Sequence, residues 1–177
     1  DQAELYSPKD WAQVIAPTNR RSYGFDWEDW GRIDALEAIS DAEGHFQTDP
    51  RRVLLSGFSM GGHGAWHLGV NYPGRFAAIA PNAGWVSFKA YGGLARTDTS
   101  TDLENMLTRA TGISDTVKLV KNLSPAAVSI MQGEADQIVP VEQARMMRKE
   151  LATFHPNFAY HEKSGGDHTW SKEQLDS

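Results

Sequence analysis

The sequence predicts an α/β fold in which a mostly parallel sheet is flanked by helices. Two features favour this class: short apolar, β-branched runs alternate with longer segments of helical periodicity, and glycine or proline ends most of these segments. The chain contains neither an internal repeat nor a low-complexity tract. Its 177 residues suit a single domain over 1–177 that is large enough to form a hydrophobic core.

The elements of the first half follow from the apolar runs and the residues that end them. A strand is predicted over 11–16, where a proline ends it, and a helix over 28–42, whose apolar residues fall near one face. The run R-V-L-L-S at 52–56 predicts a buried strand, because it is apolar and bounded by D-P and a glycine. A helix rich in small residues is expected over 60–71, where P-G follows it.

The second half of the chain shows the same alternation of predicted strands and helices. Strands are predicted over 76–80 and 126–131, and a last strand over 157–161. Between the last two strands, 141–154 carries an apolar stripe at helical spacing with charged residues largely outside it. This segment is the most regular helix of the sequence and has the length of a crossover between parallel strands.

A long polar connection separates the two halves at about 87–122. It is rich in threonine and aspartate, and its T-D-L-E segment beginning at Thr101 matches a capping box, which predicts a short helix. Its position between two strands predicts a lid-like insertion that controls access to a site.

Composition excludes several classes of function. No cysteine is present, so a thiolate nucleophile and cysteine-based metal sites are excluded. With 17 Lys+Arg against 23 Asp+Glu, the net charge of -6 provides no basic stripe for nucleic acid. The apolar runs are too short to cross a bilayer, so no membrane partner is expected. The opening D-Q-A-E lacks the basic start and apolar stretch of a signal peptide, and the compartment stays open.

A G-x-S-x-G pentapeptide, G-F-S-M-G at 57–61, joins a predicted strand to a predicted helix. Such a turn holds a serine in a strained backbone conformation with its hydroxyl above the edge of the sheet. The helix N-terminus also places the Met60 N–H where an oxyanion would form. No G-K-S/T follows, which disfavours a phosphate-binding loop. The context favours Ser59 as a nucleophile over the alternative, a glycine-rich turn without chemistry.

A serine hydroxyl needs a general base, and the base needs a third group to orient it. The loop after the strand at 126–131 reads G-E-A-D-Q-I-V-P and offers Asp136 as the acid, with Glu134 as the alternative. The loop after the last strand reads S-G-G-D-H and offers His168 as the base. Both loops follow strands and would lie at the carboxyl edge of a parallel sheet, where we expect them to meet Ser59.

The other histidines are weaker candidates for the base. His63 and His67 belong to the helix after Ser59 and are expected to be structural. His161 ends the last strand and is the one credible rival, but it lacks a loop that would carry it over Ser59. No acid accompanies the H-x-x-x-H spacing within the helix, so no metal site is expected.

Together, the segments G-F-S-M-G-G, G-E-A-D-Q-I-V-P and G-G-D-H resemble the α/β-hydrolase superfamily. Within it they are most similar to the prolyl oligopeptidase-type and dienelactone hydrolase-like serine hydrolases and esterases. The resemblance extends over about 11–170 and implies a three-layer αβα architecture and a serine hydrolase. It also implies that Asp136, which precedes I-V-P, is the acid.

The sequence departs from these families near its start. Their members carry a His-Gly-x-Gly-like segment that supplies a second oxyanion N–H, and no such segment precedes 11–16. The resemblance implies that 11–16 is the fourth of eight strands. The third, which normally lies between it and the nucleophile strand, has no counterpart. The chain also begins without Met, so we expect an N-terminally incomplete domain with the Met60 N–H as one oxyanion donor.

The expected reaction is acyl transfer to water through an acyl-enzyme, with a small-molecule ester or a peptide as substrate and no cofactor. The alternatives are an acyltransferase on the same residues and a catalytically silent binding module. Tyr23, Trp27 and Trp85 follow predicted strands and are candidate walls of a substrate pocket. The alternative for these rings is packing of loops onto the sheet.

Overall fold

The computed structural model of the chain describes residues 6–20, 25–91 and 101–169. Its centre is a four-stranded parallel sheet in the order β1-β2-β3-β4. The strands are β1 Leu54–Phe58, β2 Ala78–Asn82, β3 Ala127–Gly133 and β4 Phe158–Lys163. The helices are α1 Asp29–His45, α2 Met60–Asn71, α3 Phe88–Tyr91, α4 Asp102–Ala110 and α5 Glu142–Leu151. The prediction of a parallel sheet with flanking helices is confirmed.

The strand predicted over 11–16 is wrong. These residues are described and form no strand, and Trp11, Val14 and Ile15 are 65%, 45% and 42% exposed. The sheet ends at β1, where Leu54 is 58% exposed. A strand requires a neighbour for its backbone N–H and C=O groups. Within the described residues no strand lies beyond β1, so 11–16 has no partner with which to pair.

The hydrophobic core lies between the sheet and the helices. Alternate residues of β3 are buried, among them Val128 and Ile130, and they pack in one cluster with Trp66 of α2 and Met147 of α5. Because the side chains of a strand alternate between faces, the run A-V-S-I-M-Q-G directs its branched residues toward these helices. Parallel pairing places the carboxyl ends of β1, β2 and β3 side by side. None of the described helices has the length and apolar character needed to cross a membrane.

The capping box of the polar connection forms as predicted. The Glu104 backbone N–H donates to Thr101 Oγ1 at 3.2 Å, and the Thr101 N–H donates to Glu104 Oε2 at 2.6 Å. α4 begins there, and 3-10 turns at Gly112–Ser114 and Val120–Leu123 carry the chain toward β3. The connection therefore contains helical segments before and after 92–100, which lie outside the described residues.

Candidate active site

Ser59 lies in a sharp turn between β1 and α2, with φ 57° and ψ −117°. A left-handed φ is costly for a residue with a Cβ and persists only where surrounding contacts enforce it. Here the Ser59 N–H donates to Asn82 O at 2.9 Å, and its carbonyl accepts from the His63 N–H at 3.0 Å. A Cβ at Gly57 would lie 2.1 Å from the Gly61 carbonyl oxygen. The glycine spacing of the pentapeptide is therefore a steric requirement of this turn.

Gly62 sets how closely α2 approaches the loop after β2. A Cβ at this position would lie 2.4 Å from Asn82 O and 2.9 Å from Gly84 Cα, and both are backbone atoms that cannot rotate away. We expect Gly62→Ala to destabilise the protein by about 1–3 kcal/mol through overpacking. Gly44→Ala is a matched control, since Gly44 also lies in a helix and nothing lies within 4 Å of its added Cβ.

The control substitution should stabilise the fold by about 0.5–1 kcal/mol, because alanine favours the helix over glycine. Denaturant unfolding of both variants measures the difference. Equal stabilisation by the two substitutions would contradict the close packing of α2 on the β2 loop.

The structure brings together the three side chains that the motifs predict. His168 Nε2 lies 2.9 Å from Ser59 Oγ, and His168 Nδ1 lies 2.7 Å from Asp136 Oδ2. The His168 ring also packs on Phe58, with 4.7 Å between ring centroids. The side chain of His168 is 16% exposed and that of Asp136 is fully buried. The hydroxyl, the imidazole and the carboxylate thus form one continuous hydrogen-bonded chain.

Asp136 is oriented by four hydrogen bonds. Its Oδ1 accepts from the backbone N–H groups of Ile138 and Val139 at 2.9 and 2.8 Å. Its Oδ2 accepts from Gln132 Nε2 at 2.9 Å as well as from His168. Gln132 is a positioning residue that the motif search missed. Gln132 lies on the same buried face of β3 as Val128 and Ile130. A polar residue on an otherwise apolar face is the sequence signal that could have identified it.

Glu134, the alternative acid, binds the loop of the histidine and makes no hydrogen bond to its ring. Its Oε2 accepts from Ser164 Oγ at 2.8 Å and from the Gly165 N–H at 3.1 Å. These two bonds lower the pKa of Glu134 below its ordinary value. The same two loops approach so closely that a Cβ at Gly133 would lie 2.4 Å from Gly166 O. Glu134 therefore fastens the acid loop to the histidine loop.

Met60, the expected oxyanion donor, is the first residue of α2. The N–H groups of the first helical turn have no carbonyl partner within the helix, and the helix dipole favours a negative charge beside them. The Met60 N–H follows Ser59 directly in the chain. A carbonyl oxygen bound beside the Met60 N–H would accept a hydrogen bond from it, and the helix dipole would stabilise negative charge on that oxygen.

The three candidate pocket residues differ in what the structure shows of their surroundings. Tyr23 lies outside the described residues. Trp27 packs against α2, where a Cβ at Gly64 would lie 2.4 Å from its ring. Trp85 is 7% exposed and stacks between His63 and Tyr91, with ring centroids 4.9 and 5.0 Å away. Both tryptophan rings are therefore engaged in packing, which is the alternative that the sequence left open.

His63, on which Trp85 stacks, also belongs to a cluster of titratable side chains that the sequence did not reveal. His63 and His67 find no acid within their own helix, but the fold brings Glu28 to both imidazoles, at 3.2 and 3.4 Å. Both histidines are fully buried. Burial lowers the pKa of His67 to about 4, so its imidazole is neutral near pH 7. Only the helix spacing was visible in the sequence, because Glu28 precedes His63 by 35 positions.

Solved structures share this arrangement of sheet and helices. The chain is similar to a thermostable esterase (23% identity, TM-score 0.58), covering 78% of this chain and 29% of the other. It is also similar to a puromycin-hydrolyzing peptidase of Mycobacterium tuberculosis (21% identity, TM-score 0.63; 86% and 23% covered). An acylaminoacyl peptidase of Pyrococcus horikoshii matches with 19% identity and a TM-score of 0.62, with 82% and 24% covered.

Sequence comparison gives a relative and a family. An uncharacterized secreted protein of Arthroderma benhamiae is 27% identical over 157 residues, which are 84% of this chain and 17% of that protein. The chain thus spans less than a fifth of the length of this relative. The model of the prolyl oligopeptidase family matches residues 18–176, which include Ser59, Asp136 and His168. The chain belongs to the prolyl oligopeptidase family.

Proposed function

We propose that Ser59, His168 and Asp136 form the catalytic triad of a serine hydrolase that cleaves ester or peptide bonds through an acyl-enzyme. The observation that carries this proposal is the hydrogen-bonded chain from Ser59 Oγ to His168 at 2.9 Å and from His168 to Asp136 at 2.7 Å. Membership of the prolyl oligopeptidase family and structural neighbours that are esterases and peptidases support it.

In the first half-reaction, Ser59 Oγ attacks the carbonyl carbon of the substrate and His168 Nε2 accepts the hydroxyl proton. The carbonyl oxygen becomes an oxyanion, which the Met60 N–H stabilises at the N-terminus of α2. When this intermediate collapses, His168 returns the proton to the departing alcohol or amine, and the acyl group stays on Ser59. Asp136 holds the imidazolium in place while it carries the proton.

In the second half-reaction, a water molecule replaces the leaving group. His168 removes a proton from the water as the water oxygen attacks the acyl carbon. When the intermediate collapses, the bond from the acyl carbon to Ser59 Oγ breaks, His168 returns the proton to Oγ, and the acid is released. An acyltransferase would use an alcohol in place of the water. An ester assay with and without an added acceptor alcohol separates the two outcomes, since transfer forms a new ester and hydrolysis forms the free acid.

We also propose that the connection at about 87–122 acts as a lid within a single domain over 1–177. It begins just after β2, whose last residue Asn82 accepts the Ser59 N–H at 2.9 Å. Phe88 and Tyr91 of α3 are 41% and 39% exposed. As a lid, the connection would limit the size of the ester or peptide that reaches Ser59.

A fluorophosphonate probe tests the nucleophile and the base together. We expect the probe to label Ser59 in the full chain, as located by mass spectrometry of the proteolytic peptides, and His168→Ala to abolish labelling. The reason is that the hydroxyl reacts only when a base removes its proton.

His161→Ala is the matched control for this test. His161 lies in β4 and is exposed, so labelling of this variant should equal that of the wild type. Labelling that survives in His168→Ala, or that falls equally in His161→Ala, would contradict the proposed base. Labelling of another serine would contradict the proposed nucleophile.

A further inference from the structure

Two buried histidines lie one helical turn apart on α2 and face a carboxylate from another part of the chain. His63 and His67 are both 0% exposed, and Glu28 immediately precedes α1. Positions four apart project from one face of a helix, so the two imidazoles stand side by side. One ligand atom from each of the three residues can be chosen so that all three atoms lie within 4.8 Å of one another.

His63 turns its Nε2 atom toward the carboxylate of Glu28. When the ring is neutral, its other hydrogen bond leaves this Nε2 without a proton. Its Nδ1 lies 3.1 Å from the carbonyl oxygen of Trp85, which only accepts, so Nδ1 carries the hydrogen. In the neutral imidazole Nε2 then presents a lone pair, and it lies 3.2 Å from Glu28 Oε1. Two electron-rich atoms at this separation repel each other, and either a proton on Nε2 or a cation bound between the two atoms removes that repulsion.

His67 also turns one ring nitrogen toward Glu28. Its Nε2 is buried without a hydrogen-bond partner, and it lies 3.4 Å from Glu28 Oε2. The side-chain amide nitrogen of Asn71 contacts the carbonyl oxygens of His67 and Ile113, at 2.8 and 3.2 Å, and it also lies 3.4 Å from His67 Nδ1. The Nε2 atom is thus a fully buried polar atom aimed at Glu28, and an orphaned atom of this kind needs a physical reason.

We propose that Glu28, His63 and His67 bind a divalent transition-metal ion of the zinc type. Two imidazoles and a carboxylate are ligands that zinc takes, with bonds of about 2.0–2.2 Å. Tetrahedral bonds of that length place neighbouring ligand atoms about 3.3 Å apart. The observed separations of 3.2 Å from His63 Nε2 to Glu28 Oε1 and of 3.4 Å from His67 Nε2 to Glu28 Oε2 are close to this edge. The three ligand atoms lie within 4.8 Å of one another, so the side chains would draw together when the ion binds. The ion would bind the lone pairs of both Nε2 atoms and balance the negative charge of Glu28.

The surroundings hold the ligands in the orientation that a metal site needs. Trp85 O fixes His63 through Nδ1 at 3.1 Å, and Ser114 Oγ donates to Glu28 Oε2 at 2.8 Å. Partners of this kind set the ring orientation and the basicity of metal ligands. The ion would link Glu28, which immediately precedes α1, to His63 and His67 of α2. A water molecule would complete the four ligands that zinc takes, and the role of the ion would be structural and separate from the acyl transfer at Ser59.

Zinc binding by the full chain tests this inference. The protein is freed of metal with a chelator and titrated with Zn²⁺ in competition with a chromophoric chelator, and its unfolding is followed by heat. We expect one Zn²⁺ per chain and a Tm raised by about 5–10 °C when free zinc is about 100-fold above Kd. His67→Gln should weaken binding by more than about 100-fold, because it removes a direct ligand.

His45→Gln is the matched control, because His45 is exposed on α1 and pairs only with nearby Asp41 among the described residues. It should bind zinc as the wild type does. Glu28→Gln provides a second variant if His67→Gln fails to fold, since the Glu28 side chain is 18% exposed. X-ray absorption at the zinc edge should show two imidazole nitrogens and oxygen. Equal affinity of wild type and Glu28→Gln, no bound zinc, or a different ligand set would overturn the proposal.

Discussion

Replacing Ser59 with alanine should lower kcat for ester hydrolysis by about 10⁴–10⁶-fold, the largest effect expected of any single substitution in this chain. The substitution removes the oxygen that forms the acyl-enzyme, whereas the Met60 N–H and the buried Asp136 stay in place. The remaining groups can only assist direct attack by water. Steady-state kinetics on an activated ester, with the burst of the first product as a second readout, measures the loss.

Ser56→Ala is the control for this prediction. Ser56 lies on β1 three positions earlier, and its hydroxyl is exposed and contacts the Ala80 carbonyl oxygen at 3.5 Å. We expect its kcat and burst to equal those of the wild type. A Ser59→Ala variant that keeps the burst would show that acyl transfer occurs at another residue.

The second large effect is expected of Asp136→Asn, which should lower kcat by about 10⁴-fold. The backbone N–H groups of Ile138 and Val139 donate to Oδ1 at 2.9 and 2.8 Å. They would hold the amide oxygen of the asparagine in that place, so the NH₂ group would face His168. A donor there favours the tautomer with a bare Nδ1, which puts the hydrogen on Nε2. His168 could then no longer accept the proton of Ser59.

The substitution is nearly isosteric, so the fold should persist, and circular dichroism checks this. Glu134→Gln is the matched control, because Glu134 bonds to Ser164 and Gly165, at 2.8 and 3.1 Å, rather than to the histidine ring. Weaker hydrogen bonds in this control should cost less than about tenfold in kcat. A loss of similar size in both variants would mean that the loop contact, not the tautomer of His168, governs the rate.

Several elements that the sequence predicted correctly have a cause that lies within a few residues. The helix predicted over 141–154 is α5 Glu142–Leu151, since an apolar stripe needs only a sheet to pack on. The capping box at Thr101 forms because both partners lie within one turn. The strand predicted over 11–16 has the right composition. It fails because strand formation depends on a partner that its own residues do not encode.

The sequence by itself determined which local segments can hold a serine, an acid and a histidine at the ends of parallel strands. Steric demands such as that of Gly57, whose Cβ would lie 2.1 Å from Gly61 O, operate over a few residues and leave a readable motif. Only the tertiary structure decided that Asp136 meets His168 while Glu134 fastens its loop, and that Trp85 packs on His63. It alone brought Glu28 to the two histidines of α2. These contacts join residues far apart in the chain, so they depend on how helices and loops pack on the sheet, which no short window records.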